Sequence, residues 1–192
     1  VEFVQYREVL PGLQEHGLIE AADADGLTRL EIEPQPRLET LHVRDPASDV
    51  QPYPDATVIE MPKAELADFL EQAIDRIHLN EVLVIPVGQW RAVIDCVAFD
   101  LAADEEWQEI DALAALNQNT RNALAVTRGE TRLLIDMVRS LLNNGTDPNQ
   151  DIAITSDVAP LLVEVFHDGA ISLTWDGAII DALLKQLKSD AS

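Results

Sequence analysis

Glu81-Val82-Leu83-Val84-Ile85-Pro86-Val87-Gly88-Gln89-Trp90-Arg91-Ala92-Val93-Ile94-Asp95-Cys96-Val97-Ala98 is the stretch on which the fold class turns. Glu81–Val87 is an apolar, β-branched run, the pattern of a strand buried on both faces. From Trp90 the apolar residues Trp90, Val93, Ile94, Val97 and Ala98 fit either a helical stripe or a second strand. A shift of about 41 residues lays Leu83–Ala98 over Leu124–Arg139. Leu83, Gly88, Arg91, Ile94, Asp95 and Val97 then meet Leu124, Gly129, Arg132, Ile135, Asp136 and Val138. In the second copy Thr127-Arg128-Gly129-Glu130 is a capping box, and Asn143-Asn144-Gly145 stops the helix. The first copy is therefore expected to be strand–Gly–helix as well. The plainer account is convergence, since helical periodicity alone brings apolar residues into register.

Working outward, Thr57–Glu60 reads as a short strand, and Pro62 suits a first helical turn, where its missing N–H costs nothing. Leu66, Phe69, Leu70, Ala73, Ile74 and Ile77 recur at helical spacing, with Glu65, Asp68, Glu71 and Asp75 on other faces. Asp104 is placed to cap a helix reaching Asn117, with Trp107, Ile110, Leu113 and Ala114 on one face. Ile152–Thr155, Leu161–His167 and Ile171–Trp175 read as strands. Asp168-Gly169 between the last two is a strong hairpin signal. A helix over Ala178–Leu187 follows. Near the N-terminus, Leu27–Glu33 alternates as a half-exposed strand, and Arg37–Val43 is expected to pair with it. Asp45–Asp55 carries Pro46, Pro52 and Pro54 and few large apolar residues, so it reads as a loop or boundary. The expectation is an α/β (or α+β) protein with a mixed sheet of parallel strand–helix units and a C-terminal β-hairpin plus helix. An N-terminal appendage would span 1–55 and a main domain 56–192.

Charge narrows the functional classes. Thirty-five acids against thirteen bases give a formal −22. Such a chain repels phosphate backbones and anionic lipid, and favours basic partners or divalent cations, or is simply kept soluble. No apolar run approaches the ~18 residues that span a bilayer. Val1–Leu10 lacks the basic and apolar regions of a signal peptide. The single cysteine, Cys96, permits no internal disulfide and fits a reducing, cytoplasmic setting; in its apolar segment it reads as a buried, inert thiol rather than a nucleophile.

Motifs for catalysis are few. Asp147-Pro148-Asn149-Gln150-Asp151 opens like a calcium loop, but Ile152 stands where a glycine is needed and Val158 where a bidentate Glu is needed. His16, His42, His78 and His167 show no zinc spacing, so no metal or other cofactor is expected. His167 beside Asp168 resembles an acid–base pair, but adjacent turn residues point apart. Arg128, Arg132 and Arg139 align on one helix face. They read as a solvated stripe with a local Arg132–Asp136 pair, or as a basic surface that meets the acids of Asp104–Asp111 or Glu65–Asp75 on a partner or second copy. The echo predicts parallel strands at Val82–Pro86 and Ala123–Val126, each followed by a helix, so Gly88 and Gln89 would share a strand-end edge with Thr127 and Gly129, the place where open α/β sheets bind ligands.

Three functions stay open. The first is a non-catalytic acidic interaction or assembly module that self-associates and/or binds a protein partner, without direct contact with nucleic acid or membrane. The second is an enzyme or small-ligand binder at the Gly88 and Gly129 loops. The third is a nucleic-acid mimic whose carboxylates imitate phosphates.

Overall fold

β6 (Glu81–Pro86) is the strand around which the molecule is organised. In the computed structural model, which describes residues 1–191, five of its six residues are buried. Ser192, the last residue of the expected main domain, lies outside the described residues. β6 is followed by α3 (Trp90–Leu101), so the ambiguous segment is a helix. Gln89 precedes it in extended conformation, and the indole Nε1 of Trp90 donates to the Asn122 carbonyl at 2.6 Å. α4 (Glu105–Ala114) comes next, with Asp104 accepting from the backbone N–H groups of Glu106 and Trp107 at its start.

The described residues also form β1 (Glu2–Val4), α1 (Tyr6–Glu15), β2 (Leu18–Ala22), β3 (Thr28–Ile32), β4 (Leu38–Arg44), β5 (Thr57–Glu60) and α2 (Leu66–Ile77) before β6. After α4 come β7 (Ala123–Thr127), α5 (Thr131–Asn144), β8 (Ile152–Thr155), β9 (Leu162–Phe166), β10 (Ala170–Asp176) and α6 (Gly177–Asp190). Eight of these strands make one mixed sheet, in the order β1-β7-β6-β8-β9-β10-β4-β5, and β2 and β3 make a separate ribbon.

The mixed sheet, the C-terminal hairpin and the helix after it are as expected, but the parallel relationships fall elsewhere. β7 pairs with β6 antiparallel, with Val82 opposite Val126 and Val84 opposite Leu124. The reason is the number of intervening helices. One helix carries the chain back to the end of the sheet where the strand began, whereas α3 and α4 together leave it where the strand finished. Single-helix crossovers do give parallel strands. β7–α5–β8 places two parallel strands on either side of β6, and β5–α2–β6 joins parallel strands with four others between them. The adjacent parallel pair is β4 with β5.

A second correction concerns Arg37–Val43. It forms β4 and pairs with β10, not with the Leu27–Glu33 strand, whose partner is β2. The stretch 1–55 is thus woven into the sheet through β1 and β4, and Asp45–Asp55 is a loop between neighbouring strands.

Both sheet faces are covered. Val82, Val84, Leu124, Ile154, Val163, Val165 and Leu173 face α2, α3, α5 and α6 in the main core. Leu83, Ile85, Ala125, Ala153 and Leu162 face Val9 and Leu13 of α1, Leu18 of β2 and Leu30 of β3. This explains why Val82–Pro86 of β6 and Ile152–Ile154 of β8 are apolar without a break. The second cover does not extend across the sheet: from β9 to β5 that face turns polar.

Candidate functional site

On this polar half, strand register lines up Glu164 of β9, Ser172 of β10, His42 of β4 and Val58 of β5. Successive side chains on one face alternate along a strand and lie side by side across strands, so the row is a consequence of pairing alone. Glu164 is 6 % exposed, Ser172 2 % and His42 1 %. The loop 45–56 connects β4 to β5 over this half of the sheet, with contacts to Glu164 and Asp168. Tyr53 Oη donates to Glu164 Oε2 at 2.9 Å. Ser48 Oγ and the Asp49 backbone N–H donate to the two carboxylate oxygens of Asp168, each at 3.0 Å.

The row is incompletely satisfied. Both ring nitrogens of His42, the Ser172 hydroxyl and Arg44 Nε are buried with no hydrogen-bond partner among the described residues. A buried orphan of this kind costs about 1–3 kcal/mol, and such groups cluster where a protein does something other than pack. Burial pushes Glu164 up to about 7, against the hydrogen bond from Tyr53 and the field of Arg29, which both favour its charge. Burial holds His42 below the usual imidazole range, with Arg44 adding to the effect and Asp168 opposing it. Burial also raises the Tyr53 hydroxyl.

Beside the row lies a second buried acid. Asp151, just before β8, accepts from Arg29 Nη2 at 2.9 Å and from both the backbone N–H and Nδ1 of His167 at 2.8 Å. Arg29 also reaches Asp23 at 2.7 Å and lies over the Phe166 ring. His167 therefore pairs with Asp151, across the sheet end, while its neighbour Asp168 faces the 45–56 loop. The D-x-N-x-D stretch is divided: Asp147 caps a 3₁₀ turn by accepting from the Asn149 N–H, and Asp151 points into the protein. Among the described residues no group of three or more His, Cys, Asp or Glu side chains is placed to hold a metal ion. Cys96 is buried, and burial raises its thiol.

The arginine stripe has partners inside the chain. Arg132 contacts Asp104 and Glu106 of the α4 start at 3.0 Å each, and Asp136 at 2.7 Å. Arg139 contacts Asp68 of α2 at 3.0 Å. Arg128 Nη2 donates to His78 Nδ1 at 3.0 Å, where His78 ends α2 in the left-handed conformation at φ 57°. The acids expected to receive these arginines from another copy are thus held by them in cis.

The strand-end residues separate. Because β6 and β7 are antiparallel, Gly88 and Gln89 lie at one end of the sheet and Thr127 and Gly129 at the other, where Arg128 N–H donates to the Asn80 carbonyl before β6. Gly88 and Gln89 do line a groove of about 610 Å³, with Arg91, Asp95, Arg121 and Asn149. The first N–H groups of α3 do not point free into it: those of Trp90 and Arg91 donate to the carbonyls of Thr120 and Gln118. Thr127 and Glu130 form the expected capping box.

A further surface is the outer side of α3 and α4. Arg91, Asp95 and Phe99 form the outward ridge of α3, and Phe99 is 93 % exposed. Leu113 and Leu116 are exposed at the end of α4, Leu116 at 85 %. Arg91 bonds to Gln118, so the α4 end lies beside the α3 start, and Phe99 is two helical turns further on, roughly 12 Å away. Exposed Asp95 lies one helical turn before Phe99 and exposed Glu109 one turn before Leu113, on helices that also expose Asp100, Glu105 and Asp111. Among the described residues no helix is long and apolar enough to cross a membrane. Comparison with known proteins finds no matching family model, no matching curated protein and no matching solved structure.

Proposed function

We propose that this chain is a non-catalytic interaction module whose docking surface is the outer side of the α3–α4 pair and whose partner is a cationic protein segment with apolar side chains. The observation that carries the reading is the exposure of Phe99 and Leu116, at 93 % and 85 %, beside helices that also expose acids. Single exposed leucines are ordinary. A phenylalanine turned wholly outward on a helix ridge, and a leucine pair roughly 12 Å from it near the start of the same helix, offer two separate apolar anchors for a partner, and the acids supply long-range attraction to positive charge. The arginines support this form of the module over self-association: with Arg132 and Arg139 held by Asp104, Glu106 and Asp68, two copies at −22 meet without a free basic stripe between them. A cytoplasmic setting, and no direct contact with nucleic acid or membrane, belong to the same proposal.

The test uses a fluorescent amphipathic peptide of lysine and leucine as probe. Wild type is expected to bind it, and Phe99→Ser with Leu116→Ser to bind at least tenfold more weakly at unchanged net charge. Equal binding by both proteins would reduce the interaction to general charge attraction and remove the assigned face. Sedimentation at low and high salt reads the other occupant: a dimer lost in the Phe99→Ser variant would replace the cationic partner with a second copy.

A second reading, a small-ligand binder, rests on the 610 Å³ groove beside Gly88 and Gln89. Its mixture of Arg91, Arg121, Asp95 and Asn149 suits a polar molecule carrying both donors and acceptors. Ligand-observed NMR with polar fragments, repeated on Arg91→Ala, tests it: signals that survive unchanged in that variant would place binding elsewhere.

A further inference from the structure

The loop 45–56 is tied down by hydrogen bonds, and it lies against a row that carries Glu164, Ser172 and His42. Tyr53 Oη holds Glu164. Ser48 and Asp49 hold Asp168. Asp45 closes the base of the loop by accepting from the backbone N–H groups of Ala47 and Lys63, both at 2.9 Å. Beneath lie His42 Nδ1 and Nε2, Ser172 Oγ and Arg44 Nε without partners among the described residues. In the closed form no protein group among the described residues bonds to these atoms, and burying them unpaired is costly. Opening the loop would hydrate all of them at the cost of the few anchor bonds. Anchors that favour closure are thus opposed by orphans that favour opening.

We infer that residues 45–56 form a lid over the Glu164–Ser172–His42 row, closed while Glu164 carries its proton and open once that proton is lost. The groups around Glu164 fix the sign. Tyr53 of the lid donates to it; Glu31 and Arg29 on β3 act on it with opposite charge; Asp151 before β8 repels its ionised form; and Ser172 of β10 and Ala153 of β8 flank it without charge. At the far end of the row His42 is opposed by Arg44 and favoured by Asp168 when charged. An ionised Glu164 under the closed lid would be a buried carboxylate with Tyr53 as its hydrogen-bond donor among the described residues and two acids nearby. Water admitted by opening relieves that state. Protons therefore favour the closed form, and rising pH releases it. What release exposes is an acid, a hydroxyl and an imidazole in one line, a polar surface absent from the closed molecule.

Hydrogen exchange on the whole chain tests the lid. The Asp49 amide is the direct reporter because it donates to Asp168 in the closed form. After correction for intrinsic exchange, its protection is expected to fall at least tenfold between pH 5.5 and pH 8, and to stay level in Glu164→Gln. Equal protection at both pH values in wild type, or the same fall in Glu164→Gln, would overturn the inference. Should Glu164→Gln fail to fold, Tyr53→Phe serves instead. It is expected to bring protection at pH 5.5 down toward the wild-type value at pH 8, and undiminished protection in that variant would count against the lid.

Discussion

Arg139 Nη2 lies 3.0 Å from Asp68 Oδ1 and ties α5 to α2 across the outer helical layer. Both side chains are solvent-exposed, so the coupling is small. A double-mutant cycle with Arg139→Ala and Asp68→Ala, followed by urea denaturation, is expected to give about 0.2–1 kcal/mol and to vanish in 1 M salt. A coupling above ~2 kcal/mol would show an arginine more central than its exposure allows. In the same layer, Arg128→Glu with Arg132→Glu is expected to lower the melting temperature, since Asp104, Glu106 and Asp136 lose their common partner. The sedimentation coefficient should not change.

Two glycines at equivalent places in the 41-residue echo should respond in opposite ways. A Cβ at Gly88 would come within 2.9 Å of Asn149 Oδ1 and 3.0 Å of its carbonyl oxygen. Gly88→Ala is expected to cost about 1–3 kcal/mol as an overpacking change. A Cβ at Gly129 meets nothing within 4 Å, so Gly129→Ala should be neutral, or stabilising by up to ~1 kcal/mol through the unfolded state. Denaturation midpoints measure both.

Glu164 and His42 should impose opposite pH slopes on stability. Glu164 is raised from 4.5 to about 7 in the folded chain. The folded state therefore holds the proton more tightly than the unfolded state, and stability falls as pH rises from about 4.5 to about 7, by on the order of 3 kcal/mol. His42 is depressed, so stability falls as pH drops below its unfolded value near 6.5 toward the folded one. Glu164→Gln should thus stabilise the protein at pH 8, leave it unchanged near pH 4, and unmask the His42 slope. A variant with the wild-type pH profile would refute the assignment.

Asp151 joins three donors from β3 and the β9–β10 turn. Asp151→Ala would leave Arg29 and His167 without it in a largely buried setting. A loss of about 3–5 kcal/mol is expected, read from urea denaturation at pH 7. A loss below ~1 kcal/mol would mean that Asp23 alone suffices for Arg29.

How much of this was legible follows from where each signal resides. The capping box Thr127–Glu130, the cap at Asp104 and the Asp168-Gly169 turn are local, and each appears where its residues predict. Gly169 takes φ 109° in a three-residue connection between Phe166 and Ala170. Strand direction was not legible from Glu81–Ala98 and its echo alone, because direction depends on whether one helix or two intervenes. The Glu164–Ser172–His42 row was missed for a different reason. Thr40-Leu41-His42-Val43-Arg44 and Ser172-Leu173-Thr174 alternate as a half-exposed sheet does. That alternation marks a polar face, and the burial of that face is not written in it. A lone Glu164 within Leu162–Phe166 was the available hint. For the arginines, spacing gave the shared face, while the partners came from α2 and α4, remote in sequence.

The two helices between β6 and β7 have an evolutionary and engineering consequence. Since the chain leaves and rejoins the sheet at the same edge, the α3–α4 pair is an excursion from what is topologically a long hairpin. Residues inserted at its tip, Ala102-Ala103, or substitutions along its outer ridge, leave strand order untouched. Deleting one of the two helices would not be tolerated in the same way: β7 would then arrive from the opposite edge, and its pairing with both β6 and β1 would have to be rebuilt. Variation is therefore cheap on the helical excursion and restricted in helix number, which lets a recognition surface diverge in composition and length while the scaffold beneath it is inherited unchanged.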